Sequence, residues 1–301
     1  MLNKNRLGNS DLYVSEIGLG CMSLGTVEST ATDIVKRALD LGINYFDTAD
    51  LYDKGLNEQI VGKALKQQRS EIILATKVGN RWEDGKEGWT WDPSKAYIKN
   101  AVKNSLHRLQ TDYIDLYQLH GGTIEDHIDE TIEAFEELKQ EGVIRFYGIS
   151  SIRPNVIKEY VKKSTINSVM MQYSILDRRP EDVVLDLLKD NNISVIARGP
   201  VAKGLLTNVY RDKLNAKGYL DYSNEELRKL LDQLATKFTD LNSIALHYCL
   251  KHPAVASVIP GASSIQQVEE NIKSLTSNTL SNSEYEWIQN IAKASTYNEH
   301  N

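Results

Sequence analysis

The sequence predicts one (β/α)₈ barrel over residues 1–301, preceded by a small β-hairpin at the barrel bottom. Three observations carry that expectation. Short apolar segments of strand length alternate with amphipathic segments of helix length, and the alternation runs through eight units from Ile17 onward. Eight such units favour a closed barrel over an open sheet. No Gly-x-Gly-x-x-Gly opens a helix after the first strand, which argues against a Rossmann domain.

In chain order, Gly8-Asn9-Ser10-Asp11 is a turn signal between two extended pieces, the hairpin expected under the barrel. Ile17–Gly20 is the first strand, followed by a helix over 31–41 that Gly42 ends. Asn44 to Asp47 is the second strand, and a loop reaching Tyr52 leads to a helix over 57–66. Ile72 to Lys77 is the third strand. The loop Val78–Trp91 holds three of the four tryptophans, and is expected to be anchored by them or to form an aromatic wall of a pocket. Asp92-Pro93 reads as N-cap and first-turn proline of a helix reaching Leu109. Strands then follow at 113–120, 146–150, 168–172, 193–197 and 255–259, with helices at 128–141, 154–162, 182–190 and 264–275. A charged insertion over 210–228 precedes a helical region ending near Lys251, and the residues after Ser295 are expected to form a loose tail.

Bulk properties exclude several classes. The formal net charge is −6 with charges spread along the chain, unlike the basic footprint of a nucleic-acid binder. Cys21 and Cys249 are too few for a disulfide framework and too distant for a metal clip, and no metal-ligand cluster stands out. Cys21, beside Met22 just past the first strand, is expected to be a buried apolar thiol bordering the pocket. No membrane-span run or signal segment is read, so a soluble protein of the reducing cytoplasm is expected, with no nucleic-acid or membrane partner. The sequence assigns no oligomeric state.

The chemistry collects at the carboxyl ends of the strands, which share one rim in a barrel. Asp47 ends the second strand with Tyr52 in the loop beyond it; Lys77 ends the third and His120 the fourth. Ser150, Gln172, Arg198 and the Pro260-Gly261 turn hold matching positions on the others. A free phenol titrates near pH ~10, so it needs help to act as an acid at neutral pH. A lysine ammonium stabilises the phenolate, and a carboxylate keeps that lysine charged and in place. Tyr52 can then protonate a carbonyl oxygen that His120 also bonds. No serine nucleophile elbow is present, so hydride from a bound nicotinamide fits best.

These residues resemble the signatures of a bacterial aldo-keto reductase. Arg6–Gly20 is similar to that family's amino-terminal hairpin and first strand; Phe46–Tyr52, Ala75-Thr76-Lys77 and Thr111–His120 match its signatures in order. The resemblance implies that Tyr52 is the general acid, that Lys77 and Asp47 tune it, and that His120 orients a small carbonyl substrate. It also implies an extended nicotinamide dinucleotide across the barrel mouth, NADPH first and NADH second. Gly148 to Ser151 and Gln172 resemble the carboxamide-binding positions. Gly199 and Pro200–Thr207, with Val201, Lys203 and Leu205, resemble the pyrophosphate loop. Gly261, Ser263, Gln267, Glu270 and Asn271 resemble the adenosine-phosphate loop and helix. Met22 and Asp47 are assigned to the cofactor site as well, and Trp82 and Trp91, with Tyr52 and His120, to the substrate site. Three positions depart from the family pattern: Ser151 replaces a common Asn, Arg198 replaces a stacking tyrosine, and Gly261 and Gln267 stand where NADP-preferring members often carry basic residues. A guanidinium over the nicotinamide disfavours the oxidised, cationic ring. Two other readings compete: a nucleotide-binding, redox-sensing regulatory subunit, and a Schiff-base lyase using Lys77.

Overall fold

The computed structural model describes residues 2–83, 85–277 and 279–297. The chain opens with the hairpin β1 (Lys4–Arg6) and β2 (Tyr13–Ser15), paired antiparallel. Gly8 makes its turn at φ +54, with the Asn167 carbonyl only 2.3 Å from where a Cβ would stand, so no side chain fits there. Its N–H donates to Ser194 Oγ at 2.8 Å, which ties the hairpin to the start of a barrel strand.

The barrel strands are β3 (Leu19–Gly20), β4 (Tyr45–Asp47) and β5 (Ile73–Val78). A two-stranded excursion follows, β6 (Asn80–Arg81) with β7 (Thr90–Trp91). Then come β8 (Ile114–Leu119), β9 (Ile144–Ser150), β10 (Ser168–Gln172), β11 (Ser194–Arg198) and β12 (Val255–Ile259). The eight barrel strands are parallel neighbours in chain order. Parallel bridges from Ile17 to Val258 and from Gly20 to Gly261 join the first strand to the last. The eight-unit barrel expected from the sequence is the fold observed.

Strand periodicity decides what faces inward. Tyr45, Ile73, Ala75, Leu116, Met170 and Ile196 form an inner core with Leu7, Leu12 and Val14 of the hairpin, which closes the barrel at the strands' amino ends. The alternate residues Phe46, Leu74, Tyr117, Val169, Met171 and Val195 pack outward against the helices. Because side chains alternate along a strand, the inward set continues upward as Asp47, Lys77, Gln118, His120, Gln172 and Arg198. The polar residues are therefore the top layer of the interior.

The outer ring is α1 (Glu28–Asp40), α2 (Leu56–Leu65), α3 (Lys95–Leu109), α4 (Ile128–Gln140), α5 (Pro154–Lys163) and α6 (Val184–Asp190). It ends with α7 (Asn224–Lys237), α8 (Leu241–Leu250), α9 (Ile265–Ser277) and α10 (Asn282–Ile291). Several details correct the sequence reading. Ser94 rather than Asp92 caps α3: its Oγ accepts from Tyr97 N, while Asp92 accepts from the Ser94 N–H and hydroxyl. The seventh and eighth strands are each followed by two helices, and α7 begins inside the charged insertion, set by a Ser223/Glu226 capping box. The tail is not loose as far as Tyr297. Ser295 Oγ donates to Asp221, Lys293 Nζ to the Asp221 carbonyl, and Tyr297 is buried with the Arg179 guanidinium 4.9 Å from its ring centre. Residues 298–301 of the expected tail lie outside the described residues.

Gly62 marks a very close contact of α2 with α3. A Cβ there would stand 2.4 Å from the Leu109 carbonyl oxygen and 2.5 Å from Leu109 Cα. Gly62→Ala must therefore push α2 from α3 and lower stability by about 1–3 kcal/mol. Denaturant titration checks this: the midpoint falls, and an unchanged midpoint would contradict so close an approach.

Candidate active site

The centre of the site is a buried ammonium. Lys77 Nζ donates to Asp47 Oδ2 at 2.6 Å, to the Thr48 carbonyl at 2.7 Å and to Tyr52 Oη at 3.2 Å. Its three protons thus have three acceptors. Gln118 Nε2 holds the other oxygen of Asp47 at 3.2 Å. Burial pulls the lysine down, but the Asp47 carboxylate and the Tyr52 oxygen outweigh it and hold Lys77 above its ordinary range. Burial pushes Asp47 up, opposed by Lys77 and Gln118. The contacts of Nζ support the ionised pair.

The Tyr52 loop is fastened on both flanks. Thr48 Oγ1 donates to Asn57, which donates to the Cys21 carbonyl; Glu58 accepts from Thr76 Oγ1 at 2.6 Å and pairs with Arg108 at 2.6 Å. Cys21 itself is fully buried, and burial raises its thiol. Just past Tyr52, Asp53 and Lys54 are held at φ 49 and 51. Such left-handed residues cost about 1–2 kcal/mol each, so the surrounding bonds impose this loop's path.

His120 stands edge-on to Tyr52, ring centroids 5.8 Å apart at 83°. Burial, and then the charges of Lys77 and Arg198, push its imidazole down to about 3. Nδ1 is sealed with no hydrogen-bond partner among the described residues. A proton on Nε2 leaves only an acceptor sealed there, the less costly choice. His120 is thus a neutral donor.

These groups line a cleft of about 1870 Å³ that crosses the barrel mouth. Met22, Asp47, Ser150, Ser151, Gln172, Arg198, Gly199, Val201, Lys203, Gly261, Gln267, Glu270 and Asn271 all face it, as do Tyr52, Lys77, His120 and Trp91. Four residues assigned from the sequence do not line it. Pro200 is buried and has no N–H; Leu205 is buried, its N–H already given to Ala202 O. Ser263 is exposed and closes on its neighbour, its N–H and hydroxyl both donating to Gln267 Oε1. Trp82 turns its indole N–H to the Asp50 carbonyl and anchors the loop, whereas Trp89 lines the wall beside Trp91.

The structure adds cleft residues that the sequence did not single out, among them Lys213, Tyr219, Asn242 and Lys273. Tyr219 accepts from Gln172 Nε2 at 3.1 Å, while Gln172 Oε1 accepts from Arg198. No short motif marks them, because Lys213 and Tyr219 depend on the path of the insertion, and Asn242 and Lys273 on how α8 and α9 pack at the rim.

The chain matches the family model described as "Aldo/keto reductase family" over residues 16–293. The chain belongs to the aldo/keto reductase family. It is 61% identical to the uncharacterized oxidoreductase YqkF of Bacillus subtilis (strain 168), over 99% of both chains. It is similar to the holo form of the aldo-keto reductase AKR11C1 from Bacillus halodurans, at 63% identity and TM-score 0.97, over 100% of this chain and 99% of that one. It is also 32% identical to the NADH-specific methylglyoxal reductase of Escherichia coli (strain K12), over 97% of this chain and 99% of that protein. Members of this family are oxidoreductases that bind nicotinamide cofactors, so the aldo-keto reductase resemblance read from the signatures holds. Among the described residues no cluster of three or more His, Cys, Asp or Glu side chains is placed to hold a metal ion, and no helix is long and apolar enough to cross a membrane.

Because the folded His120 titrates far below its ordinary value, its contribution to stability is full above about pH 6.5 and is lost as pH falls toward 3. Ring-carbon NMR shifts should show a neutral imidazole at about pH 5. An imidazolium at that pH would contradict the buried, cation-flanked environment.

Proposed function

We propose that this protein reduces aldehyde or ketone carbonyls to alcohols with a reduced nicotinamide dinucleotide, working as one barrel unit in the cytoplasm. The carrying observation is the Asp47–Lys77–Tyr52 chain of contacts, with neutral His120 edge-on to the phenol. In this reading Tyr52 gives its proton to the carbonyl oxygen. Lys77 stabilises the phenolate left behind, and Asp47 keeps Lys77 charged and aimed. His120 donates to the same oxygen without carrying charge, which orients the carbonyl.

The cleft fits the cofactor. Beside Tyr52 it offers Ser150, Ser151 and Gln172, polar groups suited to a carboxamide; further along it offers Lys203, Lys213 and Lys273, none of which pairs with a carboxylate among the described residues. Asn242 Oδ1 is buried there with no hydrogen-bond partner among the described residues. When bound, the reduced nicotinamide supplies the hydride. The exposed guanidinium of Arg198, tethered to Gln172, provides a flat cationic face that favours the neutral reduced ring. Three unpaired lysines support NADPH over NADH, since a 2′-phosphate needs charged partners; the NADH-specific Escherichia coli relative makes NADH the alternative to beat.

The geometry weighs against a Schiff-base lyase. That chemistry needs a free amine, whereas Lys77 Nζ spends its protons on three acceptors beside a carboxylate. A redox-sensing subunit would share the nucleotide cleft but would not need Tyr52. Nicotinamide absorbance with an aromatic aldehyde separates them. Tyr52→Phe should cut turnover at least about 100-fold while nucleotide affinity stays, with NADPH bound more tightly than NADH. Unchanged turnover would remove Tyr52 from the acid role, and nucleotide binding without oxidation across a carbonyl panel would favour the sensor.

A further inference from the structure

The substrate end of the cleft carries a cation with no carboxylate partner among the described residues. Arg153 lies between β9 and α5, where Pro154 starts the helix; the residue before a proline is pushed to extended backbone, and Arg153 sits at φ −99, ψ 108. Its N–H donates to Ser151 Oγ, and its guanidinium Nη1 donates to the Gly122 carbonyl. It lines the cleft beside Trp91, Gly121, Gly122 and Ile152. Of the cleft arginines, Arg179 is neutralised by both oxygens of Asp177 at 2.7 Å. Arg153 and Arg198 have no carboxylate partner among the described residues, and Arg198 leans on Gln172.

Three carboxylates at or beside the cleft are committed elsewhere. Asp126 accepts from Trp91 Nε1, Thr123 N and Thr123 Oγ1. Asp47 holds Lys77, and Asp221 accepts from Ser295 Oγ. Arg153 therefore leaves most of its planar donor fork available, and that fork matches a carboxylate bidentately. Its anchor, Gly122, follows His120 by two residues, so their Cα atoms are at most roughly 7 Å apart. So short a separation suits a carboxylate only a few carbons from the carbonyl, and Trp91 lines the same cleft.

We propose that Arg153 determines specificity by binding a carboxylate on the substrate, so that short oxo-carboxylic acids are reduced to hydroxy acids. The inference rests on the carbonyl-reductase reading above and names its substrate class. In the step, the carbonyl carbon gains hydride from the reduced nicotinamide, which is oxidised, and its oxygen gains a proton from Tyr52. The carboxylate stays unchanged and serves only as the handle.

The test compares 4-oxobutanoate with butanal, using NADPH and the full-length protein. Wild type should favour the oxo acid in kcat/KM by about 10- to 100-fold, mostly through KM. Arg153→Met, which keeps the stem, should collapse that ratio toward one, and Arg153→Lys should restore part of it. Both substrates are read on each protein, so loss of folded material cancels in the ratio. A purely structural grip on Gly122 would lower both substrates equally and leave the ratio intact, which would overturn the proposal, as would a wild type that prefers butanal. Either result leaves the reductase reading standing as long as butanal is reduced. No NADPH oxidation with either aldehyde would instead bring down the reductase reading and this inference together.

Discussion

The buried ammonium of Lys77 is the constraint on which the rest of the site depends. An isolated charge inside a barrel is prohibitive; here it is tolerated because a carboxylate, a carbonyl and a phenol surround it on three sides. Each partner comes from a different position of the fold: Asp47 from the neighbouring strand, Thr48 from the residue after it, Tyr52 from the loop beyond. The pair cannot form unless strands β4 and β5 are in register. The register of the barrel top thus sets the contacts around the Tyr52 phenol. The same desolvation acts on His120 without a compensating carboxylate, so its imidazole is held neutral beside a cation.

The remainder of the molecule serves this layer. The hairpin fills the lower end of the barrel with Leu7, Leu12 and Val14, so the interior is packed beneath the polar rim. Glu58, bridging Thr76 and Arg108, and Asn57, bridging Thr48 and the Cys21 carbonyl, clamp the first turns of α2 to the barrel. That clamp holds the strained backbone at Asp53 and Lys54, and with it the position of the phenol.

Much of this architecture is legible in the amino-acid sequence, for physical reasons. Inward and outward faces follow from strict alternation, so an apolar strand that ends in Asp, Lys or His declares a polar top layer. What is not legible depends on the third dimension. Asp92 and Ser94 are both good caps, and only the hydrogen bonds show which serves. Leu205 and Ser263 sit in the right loops, but their backbone donors are spent inside the protein. Lys213, Lys273 and Arg153 carry no motif; loop paths, and the packing of α9 for Lys273, bring them to the cleft with no carboxylate partner among the described residues. The carboxyl-terminal segment illustrates the same point, since Tyr297 is buried through contacts made across the chain rather than along it.

The most direct measurement of the central claim is the hydride-transfer rate in a single turnover with Lys77→Met, which keeps the stem's bulk and removes the charge. If Tyr52 is the acid, the rate falls by at least about 100-fold with nucleotide affinity kept, because the phenol then gives up its proton with nothing to hold the phenolate. A transfer rate equal to that of the wild type, in a folded variant, would contradict the role given to the buried ammonium.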